Sequence, residues 1–298
     1  VLTLVESRAS GHRDEIAALL HAVSPAALRG EAPAHVVGVT GPPGVGKSSL
    51  LSALVAEWRA QDRTVAVLAV DPSSKRSGGA LLGDRARIAA DPADRGLFIR
   101  STASGERLGG LAPATRAAAQ ALAAAFDVVV IETVGVGQSE TEVAEVADTV
   151  AVIVQPGSGD ALQFIKAGIM EVPDVLVVTK ADLGDVALRA RRDLVAALRS
   201  LGARDTPVVA VSNVAPATGI DELVAALDAH REALDLPARR AEARRTSALA
   251  DFVAEHGERG LRALGGRRTA LRFLAEQDAA LDVATLVERL EQRAEAAR

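Results

Sequence analysis

Cysteine and tyrosine are absent from the 298 residues, tryptophan occurs once, and aromatic side chains make up only 2%. Without cysteine the chain has no disulfide, thiolate metal site, iron–sulfur cluster or cysteine nucleophile. Positive charge is not in excess: 34 basic against 39 acidic residues leave a formal net charge of −5, which disfavours a nucleic-acid-coating role. Arg239, Arg240, Arg244 and Arg245 do cluster, but no aromatic ring is interleaved for base stacking, so they are expected on a solvated face or a dimer rim. No apolar run reaches about 18 residues without a polar interruption; the nearest, residues 117–131, contains Gln120 and Asp127, so no membrane span is expected. The first residues lack a basic start followed by a long apolar stretch, and the cytoplasm is the expected compartment. His12, His21, His35, His230 and His256 are scattered without metal-ligand spacing, and G-x-S-x-G is missing, which argues against a serine hydrolase.

What remains is small and aliphatic. The hydrophobic share is 49%, mostly Ala, Val and Leu, enough to bury a full α/β core. Residues 1–34 read as a helical extension, with Ile16, Leu19, Leu20 and Val23 at helical spacing and Pro25, Gly30 and Pro33 as punctuation. From His35 short β-branched runs alternate with helical stretches, at 36–40, 65–70, 97–100, 128–132, 150–155, 175–179 and 208–212. Most show no polar alternation, as strands covered on both faces require. Seven such strands predict an α/β fold with a doubly wound, mostly parallel sheet over residues 35–236. Residues 237–298 read as a helical arm rich in Ala, Arg, Glu and Leu, interrupted at Gly257, Gly260 and Gly265-Gly266.

The first strand runs into Gly41-Pro42-Pro43-Gly44-Val45-Gly46-Lys47-Ser48-Ser49 and then a helix to about Trp58. This is a complete P-loop, G-x-x-x-x-G-K-S, between a strand and a helix. The glycines let backbone N–H groups and the helix N-terminus face an anion, Lys47 can bridge β- and γ-phosphate oxygens, and the Ser48 hydroxyl can ligate Mg²⁺. The second strand ends at Asp71, placed to reach the metal or its waters, or to start a turn before Pro72. Asp84 can orient water or metal, or cap the 85–90 helix. The fourth strand ends at Glu132, followed by Gly135, whose N–H can approach a γ-phosphate, and by Ser139 and Glu142, which also form a capping box. The sixth delivers Thr179-Lys180-Ala181-Asp182. A carboxylate at Asp182 can accept from guanine N1–H and N2–H₂, a donor pair adenine lacks, with the Lys180 stem on the base plane; this selects GTP over ATP. Ser212 and Asn213 can close over the base through backbone groups.

The order P-loop, V-D-P-S-S, I-E-T-V-G-V-G-Q-S-E, P-G-S-G-D, T-K-A-D closely resembles the MeaB/ArgK-type GTPases, mutase-associated chaperones of the SIMIBI class of P-loop proteins, over residues 36–227. The resemblance implies a GTPase with GTP/GDP and Mg²⁺ as ligands. It further implies docking on an adenosylcobalamin-dependent acyl-CoA mutase, where family members gate cofactor loading and protect the enzyme, and a homodimer formed through residues 237–298. Lys47, Asp71, Asp84 and Glu132 are the expected catalytic set, with Ser48, Asp71 and Glu132 on the metal. Gly41, Gly44, Val45, Gly46, Lys47, Ser48, Ser49, Gly135, Thr179, Lys180, Asp182, Ser212 and Asn213 are expected to bind nucleotide.

The segment 101–107 is only loosely like the family. A second departure is Thr179, where family members carry an Asn that ties the base loop to the P-loop and contacts the purine; the shorter Thr predicts retained guanine selectivity at reduced affinity. Pro156-Gly157-Ser158-Gly159-Asp160, with Gln163 and Lys166, forms either a switch toward the mutase or a plain loop and helix cap. The alternatives are a nickel or zinc metallochaperone of the same class, which would need His or Cys ligands near the N-terminus or after the first strands, an ATP-dependent small-molecule kinase, and a non-catalytic scaffold.

Overall fold

The computed structural model describes residues 13–71, 88, 91, 93–103, 113–133, 143–157 and 173–296. These divide into two compact units, one drawn from Val1–Ala34, Ala112–Ala125 and Leu234–Arg298, the other from His35–Leu111 and Phe126–Ala233.

The second unit is built on seven parallel strands: β1 (His35–Thr40), β2 (Val65–Asp71), β3 (Leu97–Ala103), β4 (Val128–Thr133), β5 (Thr149–Val154), β6 (Val175–Val178) and β7 (Val208–Ala210), in the order β3-β2-β4-β1-β5-β6-β7. Each expected strand is present. Every residue of β1, β4, β5 and β6 is buried, which explains why the sequence there lacks alternation. Helix α3 (Lys47–Ala60) puts Leu50, Leu51, Leu54, Val55 and Trp58 on one face, at the spacing of successive turns. They join Ile220, Leu223, Val224 and Leu227 of α6 (Ile220–Ala233) and the strand valines in one apolar cluster. Trp58 is fully buried there, and truncating it to Ala would cost about 3–5 kcal/mol. The opposite face of β1 is equally tight: a Cβ on Gly38 would sit 2.8 Å from Val143 Cγ2. Helix α5 (Asp185–Ser200) precedes β7.

The order places β1 between two strands that follow it in the chain, so the carboxyl ends of β4, β1 and β5 open on a topological switch point, where α/β sheets bind ligands. Register pairs Val39 with Glu132 and Thr40 with Val152, bringing the end of the P-loop strand beside the Glu132 strand.

The first unit is helical: α1 (Arg13–Ala22), α2 (Pro25–Leu28), α4 (Pro113–Ala123), α7 (Leu236–Ala263), α8 (Arg267–Ala275) and α9 (Val283–Ala296). Helix α4, which the sequence places inside the 35–236 domain, groups with these helices. Asp235 caps α7, accepting from the Ala238 N–H, and Pro237 fits the first turn, whose N–H groups need no helical partner. Only Gly257 departs from helical geometry within α7; Gly260 is buried in the helix rather than ending it. Phe252, Leu264, Leu274, Leu286 and Leu290 fill the core of this unit.

The arginine cluster differs from expectation. Arg240 and Arg244 are 8% and 9% exposed, not on a solvated face. The Arg240 guanidinium donates to the carbonyl oxygens of Ala32 and Ala34, each at 2.6 Å. Arg244 donates to both oxygens of Glu31 at 3.0 and 2.8 Å and to Ala279 O at 2.7 Å. The fork geometry of guanidinium lets it satisfy chain-turn carbonyls that a helix would otherwise leave buried. Among the described residues no helix is long and apolar enough to cross a membrane.

Candidate nucleotide site

The phosphate side is made by backbone conformation. Gly41 has φ 145°, and a Cβ there would overlap the carbonyl oxygen of Ile153 in β5, so the loop can leave the sheet only through glycine. Gly46 has φ 96° and caps α3, aiming the first N–H groups of the helix at the loop interior. Lys47 is 7% exposed; its Nζ donates to Gly41 O at 2.6 Å and Pro42 O at 3.0 Å. These carbonyls hold the ammonium over the loop, where phosphate oxygens can take it over. The Ser48 hydroxyl lies 3.5 Å from Glu132 Oε1, on a carboxylate buried at the end of β4. A hydroxyl and a carboxylate facing each other at that distance form the hard-oxygen donor set that Mg²⁺ takes. Asp71 ends β2, the strand next to β4, with Val70 paired to Thr133 and Asp71 to Ala103; its side chain lies outside the described residues. Asp84, Gly135 and the 158–172 segment, with Asp160, Gln163 and Lys166, also lie outside them.

The base side is made by side-chain hydrogen bonds. Thr179 is 1% exposed, and its hydroxyl donates to the carbonyl of Val45 in the P-loop at 2.7 Å, with Val154 O at 3.1 Å. The tie to the P-loop expected to go with Asn is therefore present with Thr. Lys180 adopts a left-handed conformation (φ 57°) that opens the 3₁₀ turn Ala181–Leu183, and its Nζ donates to Gln155 Oε1 at 2.6 Å. Asp182 is exposed, and its Oδ1 accepts from the Ser212 hydroxyl at 2.8 Å. Ser212 is itself fixed: its N–H and carbonyl pair with Thr218 at 3.0 Å each, and its Oγ accepts from the Val214 N–H at 3.2 Å. Asn213 follows with its amide oxygen buried and without a hydrogen-bond partner.

Thus Gly41, Gly44, Val45, Gly46, Lys47, Ser48, Ser49 and Glu132 stand at one group of strand ends, and Thr179, Lys180, Asp182, Ser212 and Asn213 at the next, joined through Val45. Gln155 was given no role by sequence; its signal was its place directly after β5, one strand from Lys180. Outside the site, His256 Nε2 lies 2.8 Å from Glu291 Oε1, with Glu255 near enough to share a cation; a side-chain hydrogen bond accounts for the contact.

The model of a family described as methylmalonyl Co-A mutase-associated GTPase MeaB matches residues 1–261. A Mycobacterium bovis protein named as a GTPase is 42% identical over 240 residues, covering 78% of this chain and 70% of that one. The mouse methylmalonic aciduria type A homolog, named as mitochondrial, is 42% identical over 175 residues, 56% of this chain and 41% of its own length. Among solved structures, a protein titled LAO/AO transport system kinase superposes with a TM-score of 0.61 at 32% identity, covering 92% of this chain and 90% of that one. HypB from Helicobacter pylori, in complex with nickel, shares the fold at a TM-score of 0.52 and 19% identity, over 73% of this chain and 96% of its own.

Proposed function

The chain belongs to the MeaB family of methylmalonyl Co-A mutase-associated GTPases, and we propose that it is a GTP-hydrolysing chaperone of an adenosylcobalamin-dependent acyl-CoA mutase, methylmalonyl-CoA mutase first. The observation that carries the nucleotide part of this reading is the Thr179–Val45 hydrogen bond, which sets a guanine-type carboxylate, Asp182, at a fixed reach from a P-loop. The partner rests on family membership.

In this reading guanine N1–H and N2–H₂ donate to the Asp182 carboxylate, which Ser212 holds from behind, while the Lys180 stem covers the base face. Adenine lacks that donor pair and would turn the N1 lone pair toward the carboxylate, so the oxygen that Ser212 does not serve would go unsatisfied once the base covers it, which is what makes rejection strong. Lys47 moves from the Gly41 and Pro42 carbonyls to the β- and γ-phosphate oxygens and offsets charge as water attacks in line. Ser48 and Glu132, with Asp71 directly or through water, would hold Mg²⁺, which supplies charge neutralisation at the phosphates when bound. Asp84 and the Gly135 amide are assigned to water, metal or γ-phosphate contacts. Residues 237–298 are assigned to a homodimer contact, tested by light scattering of the full chain against a chain ending at 236.

Pull-down of methylmalonyl-CoA mutase by this protein, compared under GTP and GDP, tests the partner directly; absence of any nucleotide-dependent capture would remove that part of the reading. Asp182→Asn tests the base. Its amide presents a donor where guanine needs an acceptor and suits xanthine, whose C2 oxygen accepts. GTP hydrolysis at limiting substrate should fall roughly 10²–10⁴-fold while XTP hydrolysis rises. Preference for ATP, or phosphorylation of arginine by ATP, would instead favour the kinase reading that the likeness to the LAO/AO transport system kinase raises.

A further inference from the structure

A threonine hydroxyl carries one proton, and at Thr179 that proton is committed. Of its two acceptors, Val45 O is the closer at 2.7 Å against 3.1 Å for Val154 O, which already accepts the Thr179 N–H at 2.9 Å. The guanine edge next to a P-loop offers N7 and O6, both acceptors, so a side chain there can read it only by donating. Exposure gives an independent argument. A group that touches the base must present surface to it, as the exposed Lys180 and Asp182 do. Thr179 is 1% exposed.

We propose that Thr179 is a positioning residue that registers the base loop against the phosphate loop and reads no atom of the base, so that guanine is recognised from its N1–N2 edge. The inference rests on the reading that Asp182 takes guanine. Its physical content lies in Lys180, whose left-handed backbone is costly for a residue with a Cβ and holds only when neighbours over-determine it. The neighbours are the hydrogen bonds at 179 on one side and Ala181 N–H to Val211 O, at 3.0 Å, on the other. The hydroxyl bond connects that strained turn to the phosphate loop's own carbonyl at Val45, between Gly44 (φ 79°) and Gly46 (φ 96°).

The test is calorimetric titration of the full chain with GDP and with 7-deaza-GDP, in which carbon replaces N7, for the unsubstituted protein, Thr179→Val and Thr179→Ser. Removing the hydroxyl leaves the Val45 carbonyl without its donor, and both ligands should bind about tenfold more weakly to Thr179→Val. Ser should restore affinity to within about threefold, because the hydroxyl returns. The ratio between the two ligands should be the same in all three proteins. A penalty for 7-deaza-GDP that is present in the unsubstituted protein and vanishes in Thr179→Val would show a base contact and overturn the proposal. So would unchanged GDP affinity in Thr179→Val, or a lowered melting midpoint with affinity intact. Should the valine variant not fold, Thr179→Ala carries the same comparison. GDP against ADP on the unsubstituted protein separates the two readings: equal affinity removes the guanine assignment itself, whereas a retained GDP preference with a silent Thr179→Val removes only the registering role.

Discussion

The two ends of the parallel sheet are both polar, both partly buried, and built to opposite purposes. At the carboxyl ends, Ser48 faces Glu132 at 3.5 Å, and Asp182 and Lys180 reach solvent; these groups are held but keep capacity for a ligand. At the amino ends, polar groups close on one another. His35 Nε2 lies 2.8 Å from Thr149 Oγ1, which lies 2.9 Å from His230 Nδ1, whose Nε2 is 3.2 Å from Asp174. Asp228, 3.6 Å from His35 Nδ1, takes both of its oxygens to Arg63 at 3.0 and 2.8 Å. The Thr149 hydroxyl has one proton, so it can donate to at most one of the two imidazoles, and the chain of contacts runs from one carboxylate to the other. Burial and charge alone do not mark a site. Unfilled capacity does.

Between the two ends, the larger expected effect falls at the carboxyl end. Lys47→Ala removes the cation that the P-loop carbonyls hold in place, and GTP turnover should fall about 10²–10³-fold with little change in melting midpoint. Steady-state phosphate release with matched thermal melts checks it; a melt lowered in proportion to activity would mean that Lys47 chiefly supports the fold.

The next effect is the mirror image. His35→Ala takes a fully buried ring out of the amino-end chain and leaves Thr149 and Asp228 without it, a loss of about 2–3 kcal/mol and several degrees in melting midpoint. Activity per folded molecule should not change. Acid should act on the same end. Burial pushes the His35 imidazole below its ordinary value, against the opposing pull of Asp228. The unfolded chain therefore binds more protons than the folded one below about pH 6.5, so stability is present above that pH and is lost as pH falls through it. Asp228 adds to the trend further down: burial raises its carboxyl, but His35 and Arg63 outweigh that and hold it below the usual range. Urea midpoints from pH 8 to 5 should fall more steeply for the unsubstituted chain than for His35→Ala; parallel curves would place the acid response elsewhere.

This contrast also explains what was legible in the sequence. Strands were readable because parallel burial removes alternation, and the phosphate loop because its backbone demands glycine at Gly41 and Gly46 and a lysine beside them. Side chains that meet only through the sheet order were not. His35, Thr149 and His230 are far apart in the chain and lack any spacing rule, so their histidines looked scattered. Arg240 and Arg244 read as a solvated face because nothing local announces that the Ala32 and Ala34 carbonyls and Glu31 will fold against them. Thr179 looked like a weakened Asn for the same reason: its partner, Val45, stands 134 positions earlier.

The smallest expected effect sharpens the carboxyl end itself, where Thr179 and Lys180 are held by bonds of different standing. Thr179 is sealed from solvent, so its hydroxyl bond has no water to replace it. The Lys180–Gln155 bond is shorter, at 2.6 Å, but exposed, and water can satisfy both partners when it breaks. Gln155→Ala should therefore weaken GDP binding no more than about twofold to threefold, through freedom returned to the Lys180 stem, with GDP preference over ADP intact. An effect as large as that of Thr179→Val would mean that the head of Lys180, and not only its stem, is fixed for the base, and that exposure at this loop is lost once nucleotide is bound.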